Sequence, residues 1–159
     1  MRSPYPFSPK SAAKLVPGQF CSLPLGGDRI GCGRILQVSD ARGTREARLV
    51  LLGIYAWAKK RLPSETDIAG VPCSAKGLVH VRDIKLISGE VLGVRPLAAD
   101  KLRPGRHLYQ GRRAQLMVCE GFRPIRVARK RDLDEMQVLP LWTSSDLQAV
   151  AGRHSRGLR

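Results

Sequence analysis

The sequence predicts a single α+β domain built on a strongly bent, barrel-like antiparallel sheet with a few short helices. Three observations predict it. Apolar runs of strand length are separated by glycine-rich turns, and helix signals are confined to short capped segments. The chain of 159 residues with 43% hydrophobic content also has the size and composition of one domain with one core.

Residues 1–14 carry Pro4, Pro6 and Pro9 among serines. Prolines lack a ladder donor, which predicts a disordered arm outside the sheet. The domain proper is then 15–151. Residues 19–25 read as a strand, Gly26-Gly27-Asp28-Arg29 as a tight hairpin turn, and Ile30–Val38 as the returning strand. Alternation puts Ile30, Cys32, Leu36 and Val38 on one face of that strand and Gly31 and Gly33 on the other. A dinucleotide fingerprint needs a helix directly after its glycines. Here the β-type run continues to Val38. Close approach of another strand or of a ring such as Trp57, or a sharp bend, is the better account of the glycines.

The run "LVLLGIYAWA", 49–58, predicts a central strand buried on both faces, with Gly53 as a bulge. Ser64 with Asp67, followed by Gly70, predicts a short capped helix over 64–70. "GLVHVRDIKLISG" predicts a strand passing into a helix over 80–88, and Glu90–Leu97 a strand ended by Pro96. Apolar pieces at 116–119, 125–128 and 136–142 make the second half folded. Thr143 with Asp146 predicts a C-terminal helix over 143–151, and residues 152–159 a basic disordered tail.

Lys and Arg number 28 against 13 Asp and Glu, a net charge of +15, which favours an acidic partner, nucleic acid or protein. Cys21, Cys32, Cys73 and Cys119 lack CxxC or zinc-finger spacing and read as reduced core thiols. The opening residues have no apolar signal region, and no apolar run is long enough for a bilayer. These features predict a cytoplasmic protein without a membrane partner.

Signals for catalysis are sparse, and the expectation is no catalytic residue, no metal and no cofactor. His80 with Asp83 forms an HxxD pattern that suits a base beside an orienting carboxylate, though a surface ion pair or hydrogen bond produces the same spacing. Asp132, Asp134 and Glu135 supply three carboxylates suited to a divalent cation. They directly follow Arg129, Lys130 and Arg131, so a self-neutralising charged hairpin between two strands accounts for them better. No GxSxG is present.

The candidate binding residues are the cations Arg112, Arg113, Arg123, Arg126, Arg129, Lys130 and Arg131, with Tyr109 and Phe122, the two aromatics between Lys101 and Arg131, and Trp142 as a further anchor. Single-strand nucleic-acid binding normally adds many stacking aromatics, and aromatics are only 5% of this chain. At most weak, non-specific nucleic-acid binding is expected.

"VPGQFCSLPLGGDRIGCGRIL" resembles the opening of the immunity protein 26 family of small bacterial proteins, in which an apolar strand, a glycine turn and a G-x-G-R strand follow in order. "SGEVLGVRPL" is similar to that family's second landmark. The motif residues are Gly26, Gly27, Asp28, Gly31, Gly33 and Arg34 in the first stretch, and Gly93, Arg95 and Pro96 in the second. The resemblance spans roughly residues 15–97. It implies a non-enzymatic immunity protein that binds and neutralises a cognate toxin of a polymorphic toxin system, here one with an acidic surface. The same family is also named for a phosphotriesterase, which implies a hydrolase of organophosphate esters as the alternative. A basic nucleic-acid-binding module stands third.

Overall fold

The computed structural model describes residues 4–40, 48–110 and 114–155. Among them, nine strands form two sheets with four short helices, a mixed α+β fold. The larger sheet grows from a meander of β1 (Gln19–Pro24), β2 (Ile30–Val38), β3 (Leu49–Lys59) and β4 (Ala75–His80). With β5 (Val91–Val94) and β9 (Leu141–Trp142) its order is β5-β1-β2-β3-β4-β9. Its pairs are antiparallel except β4 with β9. The β1–β2 turn places Gly26 and Gly27 at φ +89° and +61°, left-handed values that glycine adopts without a Cβ clash.

Register shifts bend this sheet. Between β2 and β3, Gly31 opposes Ala58 but Gly33 opposes Ile54, so β3 carries extra residues around Tyr55 to Trp57. Further along, Ile35 opposes Leu52 and Gln37 opposes Leu51, which leaves Leu36 as an extra residue in β2. Bulges of this kind increase twist and re-aim side chains. Ile35 enters the main core while Leu36 joins a separate cluster with Leu51 and Leu78. The sheet bends as the sequence predicts but does not close into a barrel, and β5 and β9 stay at its two ends.

One face is covered by helices. α2 (Val81–Leu86) and α4 (Ser144–Ser155) bring Val81, Ile84, Leu147, Val150 and Ala151 onto Leu23, Leu52, Ile54 and Val79. The bare positions of β2 lie here: a Cβ on Gly31 would sit 3.4 Å from that of Ala151, and one on Gly33 would sit 3.2 Å from both Leu23 and Leu52. Helix α4 and leucines fill that side. Trp57, expected there, packs instead with Cys32, Phe20 and Tyr55. Gly53, expected at a bulge, lies in regular register between Arg34 and Lys76. Its lack of a side chain admits Cys73, whose Sγ would stand 2.4 Å from an added Cβ.

The second sheet holds β6 (Arg106–Gln110), β7 (Leu116–Glu120) and β8 (Arg123–Val127), with β7 in the middle. Residues 137–139 run beside β6: Leu108 N–H donates to the Gln137 carbonyl at 3.0 Å, and Leu139 N–H to the Leu108 carbonyl at 2.8 Å. The Gln37 side chain ties the two sheets, its Oε1 accepting from Phe122 N–H at 2.9 Å.

Three further expectations need correction. The N-terminal segment is not a free arm over its described part, since Phe7 and Val91 exchange backbone hydrogen bonds of 3.0 and 2.8 Å and Tyr5 and Phe7 pack on the main core. The prolines flank the one residue that pairs. Residues 130–135 form helix α3 (Lys130–Glu135) where a hairpin was expected, because the Asp132 carboxylate reaches back 2.7 Å to the Arg129 N–H and starts a helical turn. Helix α4 runs on to Ser155, past the expected start of the tail at 152. The predicted capped helix after Ser64 is α1 (Glu65–Ile68), with Ser64 N–H donating to Asp67 Oδ2 at 2.8 Å.

Candidate functional site

The two stretches that carry the family resemblance meet in a buried arginine cluster. Arg34 projects from β2 with no solvent exposure. One Nη1 donates to the Asp100 carboxylate at 2.6 Å and to the Tyr55 hydroxyl at 3.1 Å, while Nη2 donates to the Arg95 and Pro96 carbonyls. Arg95 closes on the other side of Asp100 at 2.9 Å and reaches Glu65 at 3.1 Å. Asp100 also accepts the Gly70 N–H at 2.7 Å. The Arg95 guanidinium, with Arg34 and Gly70 adding to it, holds the Asp100 carboxyl well below the usual carboxylate range. Burial, only partly offset by Arg34, pushes the Tyr55 phenol above its ordinary value. Gly93 lets the Phe20 ring lie flat against β5, since an added Cβ would fall 2.8 Å from it. Asp28 in the hairpin turn makes only an exposed pair with Lys60 at 2.8 Å.

Of the buried side-chain polar atoms of this cluster only Arg34 Nε lacks a hydrogen-bond partner, and Arg34 and Asp100 are both fully buried. The G-x-G-R and G-x-R-P landmarks therefore act as a structural clamp between β2 and the segment after β5.

His80 and Asp83, the candidate catalytic pair, each cap a helix. His80 Nδ1 accepts the Arg82 N–H at 3.1 Å at the start of α2, and Asp83 Oδ1 accepts the Ser144 N–H at 3.1 Å at the start of α4. Burial, with Arg82 nearby, lowers the His80 pKa. Among the described residues no group of three or more His, Cys, Asp or Glu lies close enough together to hold a metal ion. Of the carboxylates once weighed for a cation, Asp132 binds both Arg126 nitrogens, at 2.5 and 2.8 Å, and Glu135 binds Arg131 at 2.7 Å. Arg126 first, then the Arg129 N–H, holds the Asp132 carboxyl well below its ordinary range.

The predicted binding residues divide. Arg123, Arg126, Arg129, Lys130 and Arg131 come together on β8 and α3, with Arg123 paired to Glu120. Arg112 and Arg113 lie outside the described residues. Tyr109 and Phe122 are half-buried against Leu36, Leu51 and Leu78, and Trp142 is buried in the main core over Gly77, so these three rings serve packing and are not free anchors.

Apolar side chains from the second half of the chain also reach the surface. Ile125, Val127, Leu133 and Val138 are 40%, 46%, 51% and 51% exposed. Ile125, Val127 and Leu133 lie on β8 and α3 among the arginines, whereas Val138 lies beside β6 at the opposite edge of the three-stranded sheet. Ile125 stands out in β8 because Pro124 opposes Cys119 while Arg126 opposes Val118, which makes Ile125 the extra residue of a bulge.

A cleft of about 370 Å³ opens beside this surface, lined by residues 73–76, 104–107 and 135–140. Lys76, Arg106 and buried His107 bring its basic groups together. Sequence reasoning passed over all three, since they come from two strands of different sheets.

No family model, curated protein or solved structure matches this chain.

Proposed function

We propose that this chain is a non-enzymatic antidote of the immunity type that binds and neutralises a bacterial protein toxin through the β8–α3 surface. The observation that carries the proposal is the set of exposed Ile125, Val127 and Leu133 among Arg123, Arg126, Arg129, Lys130 and Arg131. An apolar centre within a rim of arginines is the composition of a protein-binding patch.

Local pairing has a consequence for the partner. Asp132, Glu135 and Glu120 already hold Arg126, Arg131 and Arg123, so the patch itself is only mildly basic, and the net +15 of the chain supplies long-range attraction for an acidic partner. A duplex or single strand needs several cations free to replace counterions. The paired arginines and the apolar residues among them favour protein. Pro124, which has no N–H, and the bulge at Ile125 blunt the edge of β8 against strand addition. The partner is met by side chains. Free thiols at all four cysteines agree with a cytoplasmic site of action, and among the described residues no helix is long and apolar enough to cross a membrane.

The test is co-expression with each neighbouring-gene product that proves toxic when expressed alone, scoring rescue of growth and a stoichiometric complex. Ile125→Glu with Val127→Glu should abolish both while leaving the unfolding midpoint within about 0.5 kcal/mol, as expected for exposed positions. Rescue that survives this double substitution overturns the surface assignment. Tight binding to DNA or RNA near physiological salt, on the order of 10⁻⁸ M, promotes the nucleic-acid reading instead.

A further inference from the structure

The cleft between the two sheets has features that the exposed patch lacks. Its floor is Cys73 to Lys76 at the start of β4, one wall is Pro104 to His107 leading into β6, and the other wall is Glu135 to Pro140 after α3. Lys76 Nζ lies close to Gly105, where an added Cβ would be in ordinary contact with it at 3.5 Å. One Nζ proton is used on the Arg103 carbonyl at 3.0 Å, and an ammonium has three. Arg106, an exposed residue at the start of β6, is part of the lining. The acid in the lining, Glu135, is engaged by Arg131 at 2.7 Å.

We propose that this cleft seats one acidic side chain, Asp or Glu, of the partner polypeptide, with Lys76 and Arg106 binding its carboxylate. The proposal rests on the antidote reading and names where that partner is anchored. A carboxylate fits better than a phosphate for two reasons. Met136, Val138, Leu139, Pro104 and Pro140 suit a methylene stem, which a phosphate lacks. A phosphate near neutral pH also carries nearly two charges, and Glu135 beside it opposes the second. His107 is 8% exposed, and burial lowers its pKa, with the Lys76 charge acting in the same direction against hydrogen bonding to the Gly121 and Gly105 backbone. Its ring is therefore a neutral wall of the cleft at neutral pH and a reporter of any anion that enters.

The experiment uses the full chain, isotope-labelled, titrated separately with N-acetyl-glutamate N-methylamide, the matching glutamine derivative and inorganic phosphate. Saturable shifts of the Gly105 and Arg106 amides and of the His107 ring with the glutamate derivative alone are expected. Lys76→Met, and independently Arg106→Gln, should weaken that binding about tenfold or more, the scale of one charged hydrogen bond. Equal response to the glutamine derivative, saturation by phosphate alone, or no shift at tens of millimolar glutamate derivative each overturns the proposal. Partner binding that is lost in Ile125→Glu but unchanged in both Lys76→Met and Arg106→Gln also overturns it, and leaves the β8–α3 surface standing. Partner binding unchanged in all three variants overturns both the cleft and the β8–α3 surface.

Discussion

Arg34 and Asp100 stand 2.6 Å apart with neither side chain exposed, although they are 66 residues distant in the sequence. A buried ion pair contributes little net stability relative to apolar residues of the same shape, but removing one partner strands the other charge. Asp100 is shared by two guanidinia, so its loss strands both.

Asp100→Asn should therefore lower the unfolding free energy by about 3–5 kcal/mol. Arg34→Lys should also destabilise, because an ammonium cannot span Tyr55, Asp100 and two carbonyls in one plane as the guanidinium does. Urea denaturation gives both values. A loss under 1 kcal/mol for Asp100→Asn would show that the cluster is not a clamp.

Acid should unfold the protein in two stages. His107 and His80 have pKa values lowered by burial, so the unfolded chain takes up protons first as pH falls below about 6.5, and stability begins to decline there. Asp67, Asp100 and Asp132 are held low chiefly by Arg61, Arg95 and Arg126 respectively. Their contribution is complete above the unfolded value of about 3.9 and drains away below it. Denaturant midpoints measured from pH 8 to pH 3 should bend at both points, and Asp100→Asn should flatten the lower limb.

Glycines of the sheet should differ in their tolerance of alanine. At Gly77 the added methyl would fall 2.6–2.7 Å from the indole of buried Trp142, which cannot swing away without leaving the core. At Gly33 it meets the ends of Leu23 and Leu52 at 3.2 Å, and these can rotate. Gly77→Ala should cost about 1–3 kcal/mol and Gly33→Ala distinctly less, whereas the bulkier Gly33→Val should reach that same range. Thermal midpoints in the opposite order would contradict the packing described.

His80→Ala should cost about 1 kcal/mol through the lost cap of α2. Asp83→Ala should cost more than Asp83→Asn, since asparagine keeps an oxygen for the Ser144 N–H. Neither position should affect toxin neutralisation, and any phosphotriester turnover abolished by these substitutions in a folded protein would restore the hydrolase alternative.

Much of the sheet was legible because its signals are local. The Gly26-Gly27 turn, the capped starts of α1 and α4 and the change from strand to helix at His80 each depend on residues a few positions apart. Helix α3 was not, because in six residues it has one apolar side chain, exposed Leu133, and its cap begins at an arginine. Arg34 could be singled out as part of a motif but not as buried, since nothing near it in sequence reveals Asp100. The proposed binding surface was half legible: the arginines announced themselves by number, whereas exposure of Ile125 and Leu133 follows from a bulge and a helix that tertiary contacts determine. The basic cleft depends on two strands from different sheets and left no trace in the pattern.

The position of α4 bears on how the chain is made. Ala151 closes the gap above Gly31, and Gln148 Nε2 donates to the Pro24 carbonyl at 2.9 Å across 124 residues of sequence. Strands β1 to β4 leave the ribosome long before the helix that covers them. Throughout that interval the nascent polypeptide presents Leu23, Leu52 and Ile54 uncovered, a surface that chaperones bind and that neighbouring chains can share. Protection of that surface thus waits on the synthesis and docking of α4, a step that the stability of the finished fold does not speed.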